Sequence, residues 1–193
     1  MPAFRTCAMP TPSSSGQSPA LSTDLSNSRA VPLAAPLIRQ ATAADAARLA
    51  DWLDAGRPLP ALAARERRAM LEALLARPES GPCIVAELAP DLESPSQGTV
   101  QGLLTVHLTP RLDLAGLAAF AAEWWCLRPG LESGAMLAFC ADWLVDWCRA
   151  HGVRHLVWSP DVAAQASSWA ARMRPVAGGL PHLDLKPAAK ELG

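Results

Sequence analysis

Glu123-Trp124-Trp125-Cys126-Leu127-Arg128-Pro129-Gly130-Leu131-Glu132-Ser133-Gly134-Ala135 is the stretch on which the architecture turns. Its aromatic, apolar start suits a buried strand, Pro129 and Gly130 interrupt regular structure, and small residues then open a helix. From Ser133 to Ala150 the apolar residues Met136, Cys140, Trp143, Leu144, Trp147 and Cys148 fall on one helical face, and Gly152 offers a left-handed stop. A strand that feeds a helix through a tight turn places that helix against a sheet. Upstream, residues 114–127 carry two signals, because alanine favours helix while Trp-Trp-Cys-Leu favours strand; the second half reads as strand.

Further out, Leu37-Ile38-Arg39 reads as a short strand, and Thr42-Ala43-Ala44-Asp45 has the Thr-x-x-acid form of a helix start. Leu49, Trp52 and Leu53 mark the apolar stripe of a helix running to about Ala55, stopped by Gly56. A second helix is expected from Ala61 to about Ala76, with Met70, Leu71, Leu74 and Leu75 on one side, Glu66 and Arg67 toward water, and Pro78 beyond its end. Residues 83–88 and 99–108 read as antiparallel strands around a Pro/Ser/Gly/Asp-containing loop. Residues 155–159 are another strand, Asp161 caps a helix through about Met173, and residues 180–185 give a last strand. The order describes an α/β (α+β) fold, a sheet flanked by helices.

The 193 residues suffice for one domain plus an extension. Residues 1–34 are rich in Ser, Pro and Ala and poor in aromatic residues, which predicts disorder; residues 35–193 form the folded domain. A net charge of −1 with scattered Lys and Arg leaves no footprint for nucleic acid. Charges interrupt each apolar run, so no membrane span is expected, and without a secretory signal pattern the expected compartment is cytoplasmic. The five cysteines lack the spacing of a zinc site and read as reduced, mostly buried side chains.

Backbone N–H groups at a helix start are unsatisfied donors at the positive end of the helix dipole, so a turn with small side chains can hold a diphosphate. Ser133, Gly134 and Ala135 meet that size requirement, while the Glu132 carboxylate would compete with a phosphate for the same position. The other reading is that Ser133 caps a core helix and the glycines serve the turn.

Ile38-Arg39-Gln40-Ala41-Thr42-Ala43-Ala44-Asp45, Thr109-Pro110-Arg111-Leu112 and the quoted stretch together resemble the GNAT superfamily of N-acetyltransferases over residues 36–186. That resemblance implies a mixed, mostly antiparallel sheet flanked by helices, with acetyl-CoA as co-substrate and an amine as acceptor. It maps phosphate binding to Ser133, Gly134 and Ala135, with Glu132 at a basic position of the family pattern and Ser133 where glycine is usual. It also maps contacts with the pantetheine arm to the backbone of Trp125, Cys126 and Leu127, as an added strand pairs with an exposed edge.

Acetyl transfer requires proton removal from the ammonium, stabilisation of an oxyanion and protonation of the departing thiolate. The resemblance assigns the first task to Glu123, an acid in an otherwise apolar strand, where desolvation would strengthen it as a base; a Glu on a solvated face is the competing reading. Family members often use a tyrosine for the last task, and this chain has none. Ser168 stands at the corresponding place and could relay a proton through water. An N-acetyltransferase of a small-molecule amine or protein amino group leads. A non-catalytic acyl-CoA-binding or regulatory domain, and a structural protein whose Trp-rich faces make a homodimer or other interface, stay open.

Overall fold

The computed structural model describes residues 36–88, 98–127, 131–176 and 178–185. The predicted N-terminal extension and the turn residues Arg128, Pro129 and Gly130 lie outside the described residues. The chain runs β1 (Leu37–Gln40), α1 (Ala46–Gly56), α2 (Ala61–Leu75), β2 (Cys83–Leu88), β3 (Thr99–Arg111), β4 (Gly116–Cys126), α3 (Leu131–Ala150), β5 (His155–Trp158), α4 (Pro160–Gln165), α5 (Ser167–Ala170), β6 (Arg174–Pro175) and β7 (Pro181–Asp184). The described strands form one sheet of seven in the order β1-β2-β3-β4-β5-β7-β6. Only β4 and β5 run parallel, as a strand–helix–strand crossover requires.

Two cores cover the two faces. Leu49, Leu53, Leu71 and Leu75 of α1 and α2 pack on Val85, Val100 and Leu103. On the other face Met136, Leu137, Cys140, Leu144 and Cys148 of α3 pack on Ile84, Leu104, Val106, Leu156 and Trp158. The Thr42–Asp45 signal is realised as a capping box, with the Thr42 amide donating to Asp45 Oδ2 at 2.8 Å. Asp45 also accepts from Arg39 Nη1 at 2.9 Å and Nη2 at 2.7 Å. Arg39 Nη2 donates to Glu87 Oε1 at 2.7 Å, and Arg48 pairs with both acids, so the cluster ties β1, α1 and β2 together. The Arg39 guanidinium holds the Asp45 carboxyl well below the usual carboxylate range, assisted by the Thr42 amide.

Four expectations change. Residues 116–126 are strand throughout, because a place between β3 and β5 outweighs the helix propensity of alanine. The helix after β5 is capped by Ser159, whose Oγ accepts from the Val162 amide at 3.4 Å, and it breaks at Ala166 into α4 and α5 instead of running to Met173. Met70 is exposed, whereas Arg67, expected in water, is largely buried and paired with Asp54. α3 begins at Leu131, which puts Ser133 inside the first turn and commits the Ala135 amide to helical bonding.

Among the described cysteines, Cys83, Cys140 and Cys148 are buried free thiols, and Cys126 is half-buried. Burial pushes the Cys83 thiol up to about 11 and the Cys148 thiol up to about 12. Among the described residues no helix is long and apolar enough to cross a membrane, and no group of three or more His, Cys, Asp and Glu could hold a metal.

Candidate active site

The site begins where two parallel strands part. Ala121 pairs with Trp158, and the Ser159 amide still donates to the Ala121 carbonyl at 2.9 Å. Pro160 then has no N–H to offer a ladder and starts α4, so the chain leaves the sheet. β4 continues through Cys126, held on one side by β3 and with no strand partner on the other among the described residues. The result is an open main-chain edge facing the gap, next to the first turn of α3.

A β-bulge sits at the same place. Thr105 pairs with Glu123 and Val106 with Ala121, so Ala122 is the extra residue in β4. Ala119 and Ala121 face α3; after the extra residue the alternation reverses, and Trp124 and Cys126 take the α3 side. Glu123 and Trp125 consequently face α1 and α2.

On the α3 side, Trp124 lies under the sheet and its indole N–H donates to Ser133 Oγ at 2.9 Å. The predicted phosphate-binding serine therefore turns its hydroxyl into the core, and only its backbone is left for a ligand. Gly134 approaches α4 closely: a β-carbon there would stand 3.2 Å from the Gln165 carbonyl oxygen. Trp124 depends in turn on Gly102, where a β-carbon would come within 2.3 Å of the indole. Gly102→Ala is expected to force the ring aside at a cost of about 1–3 kcal/mol, read as a lower denaturant midpoint.

On the α1/α2 side Glu123 lines a cavity of about 200 Å³. Its walls are Leu53, Leu71, Leu74, Leu103 and Trp125, and its polar groups come from Arg67, Thr105 and Glu123. The Trp125 indole N–H donates to Glu123 Oε2 at 2.9 Å, and the Arg57 guanidinium stands over the same ring at 5.0 Å from its centroid. Glu123 itself is exposed, so the desolvation expected of an acid in an apolar strand does not apply; its orientation comes from Trp125 instead. Arg67 donates to the Arg57 carbonyl at 2.9 Å as well as pairing with Asp54, which fixes α2 against the end of α1. Thr105 is 4% exposed, and among the described residues neither its hydroxyl nor the buried Arg67 Nε has a hydrogen-bond partner.

The structure thus brings Glu123 and Trp125 together and sets Cys126 on the open edge of β4. Leu127 packs on the end of α1, where a β-carbon on Gly56 would overlap its side chain. Ser168 is exposed on α5, and its neighbour Trp169 is packed in the α3-side core, so Ser168 and Glu123 belong to opposite faces of the sheet. Only a ligand threaded between the parted strands would meet both. Thr105 and Arg67 were not among the expected site residues. Their signal was phase: Thr105 shares the inward alternation of Leu103, and Arg67 stands four residues before Leu71 on the apolar face of α2.

No family model matches this chain, and no curated protein matches it. Solved structures do. An aminoglycoside 6'-acetyltransferase type Ii is similar at a TM-score of 0.53 and 9% identity, over 79% of this chain and 99% of that one. The protein yncA from Salmonella typhimurium, solved with its cofactor acetyl-CoA, is similar at a TM-score of 0.51 and 18% identity, over 80% and 96%. An N-acetyltransferase from Staphylococcus aureus Mu50 follows at 0.50 and 18%, over 78% and 99%. At such identities the likeness is one of fold: this chain has the GNAT fold of these acetyltransferases, with a mostly antiparallel sheet flanked by helices.

Proposed function

We propose that this chain is an acetyl-CoA-dependent N-acetyltransferase that transfers the acetyl group directly to an amine. The observation that carries the reading is the coincidence of three features at one point: β4 and β5 part after Ala121, α3 starts beside the gap, and the bulge turns Glu123 toward a cavity of acceptor size. A diphosphate would be held by free main-chain N–H groups of the first turn of α3, with Gly134 keeping the space beside Gln165 clear. The pantetheine arm would pair with the backbone of Trp125, Cys126 and Leu127. Acetyl-CoA supplies the thioester; Glu123 takes the proton from the attacking ammonium, directly or through one water. Ser168 is proposed as the proton relay toward the departing sulfur. The acyl-CoA-binding domain without transfer is the second reading, favoured by the inward commitment of the Ser133 hydroxyl.

Saturating acetyl-CoA should raise the melting temperature by linkage, and an amine panel should then give thiol release. Gly134→Glu should abolish both effects, because its side chain and charge would occupy the space beside Gln165. Absence of a thermal shift at millimolar acetyl-CoA would remove the transferase reading. A shift with no thiol release would leave the binding domain.

A further inference from the structure

We infer that the acceptor is an α-amino group carried by an apolar residue, with its own carbonyl oxygen received by Thr105 and Arg67; the inference rests on the transferase reading. A buried donor with no acceptor is costly, and two residues that line this cavity each carry one, the Thr105 hydroxyl and the Arg67 Nε–H. Arg67 Nε can only donate, so the missing partner is an oxygen acceptor and not the amine itself. Thr105 is the cross-strand partner of Glu123, with β-carbons about 5 Å apart, so that acceptor must sit close to the reacting nitrogen. In an α-amine the carbonyl oxygen lies about 3 Å from the nitrogen. An ε-amine on a lysine side chain brings no acceptor so near. The leucines and Trp125 that complete the cavity fit an apolar side chain, and the exposed Glu123 leaves the amine at the open end, toward the gap between β4 and β5.

The chemistry balances without a further reagent. The ammonium gives one proton to Glu123, the nitrogen lone pair forms the C–N bond to the thioester carbonyl, and the C–S bond breaks as the nitrogen releases its second proton to solvent. The thiolate takes a proton from solvent through Ser168, and Glu123 returns its proton to solvent, leaving the N-acetyl compound and free CoA thiol.

The test compares L-leucinamide with 3-methylbutylamine, which has the same side chain without the carboxamide, and with the ε-amine of Nα-acetyl-lysinamide. Thiol release at saturating acetyl-CoA should favour leucinamide at least about tenfold in kcat/KM. Thr105→Val should erase the preference while raising the melting temperature of the ligand-free protein, since the substitution removes a buried unpaired hydroxyl. Equal turnover of the three amines, or an undiminished preference in Thr105→Val, overturns the assignment. Should Thr105→Val fail to fold, Arg67→Lys, which keeps the charge and loses Nε–H, carries the same expectation. A pentapeptide beginning with leucine separates the two sources of such an amine: turnover above that of leucinamide assigns a protein N-terminus, and turnover below it assigns a small amino-acid derivative. Calorimetric titration of leucinamide against 3-methylbutylamine decides the pocket independently of transfer. Preferential binding with no thiol release from any amine would sink the transferase reading alone, and binding without preference would sink this one.

Discussion

Glu123→Gln should lower kcat/KM for the amine by about a hundredfold or more while leaving acetyl-CoA binding, measured by its thermal shift, unchanged. The glutamine carbonyl can still accept from the Trp125 indole, so the side chain keeps its place and loses only its capacity to take a proton. The loss should fall mainly on kcat. Turnover within twofold of wild type would assign proton removal to solvent or to another group. The control is Trp125→Phe, which frees the carboxylate without removing it. It should produce a smaller loss, because the base survives but its orientation does not.

Asp45→Asn is expected to cost about 1.5–3 kcal/mol of folding stability, the usual consequence of deleting a charged hydrogen-bond partner from a partly buried ionic cluster. Arg39 and Arg48 would then share Glu87 alone, and the amide would keep at most part of the capping box. The pH dependence has a definite sign. The Asp45 carboxyl titrates below its unfolded value, so its contribution is complete above the unfolded carboxylate pKa of about 3.9 and is lost as pH falls toward its lowered folded value. Urea midpoints of the wild type should fall across that acid window, and Asp45→Asn should start lower and flatten the fall. An identical acid slope in the variant would show that other carboxylates govern acid unfolding.

The sequence made the framework legible wherever periodicity was strong. α3 was marked by apolar residues at helical spacing, and α1 by Leu49, Trp52 and Leu53 behind a Thr-x-x-Asp start. Residues 114–122 were ambiguous for a physical reason: their alanines have no strand preference, and pairing on both sides decides the matter. The break after Gln165 was equally hidden, since the stretch after Asp161 reads as continuous helix until Trp169 is required to pack beside Trp158. Family likeness pointed to Glu123, and its apolar neighbours suggested a burial that the structure does not give it. An acid flanked by apolar neighbours looked desolvated, and nothing local announced the bulge that turns it to an open cavity. Ser133 was read from its small size, while its partner, the Trp124 indole, is set by tertiary packing. Thr105 and Arg67 carried weak phase signals that become informative only when the sheet register shows them around one space.

The extra residue in β4 makes that strand sensitive to register rather than to composition. Upstream and downstream of Ala122 the strand feeds the same α3-side core, through Ala119 and Ala121 before it and through Trp124 and Cys126 after it. Were the strand paired straight through Ala122, the Glu123 carboxylate would come under α3 and the Trp124 indole would turn toward α1 and α2. Point substitutions at positions 123 and 125, by contrast, can alter the cavity on the α1/α2 side without repacking the opposite layer. The kink therefore separates the residues that line the cavity from those that pack under α3, and divergence can act on one set while the other stays intact.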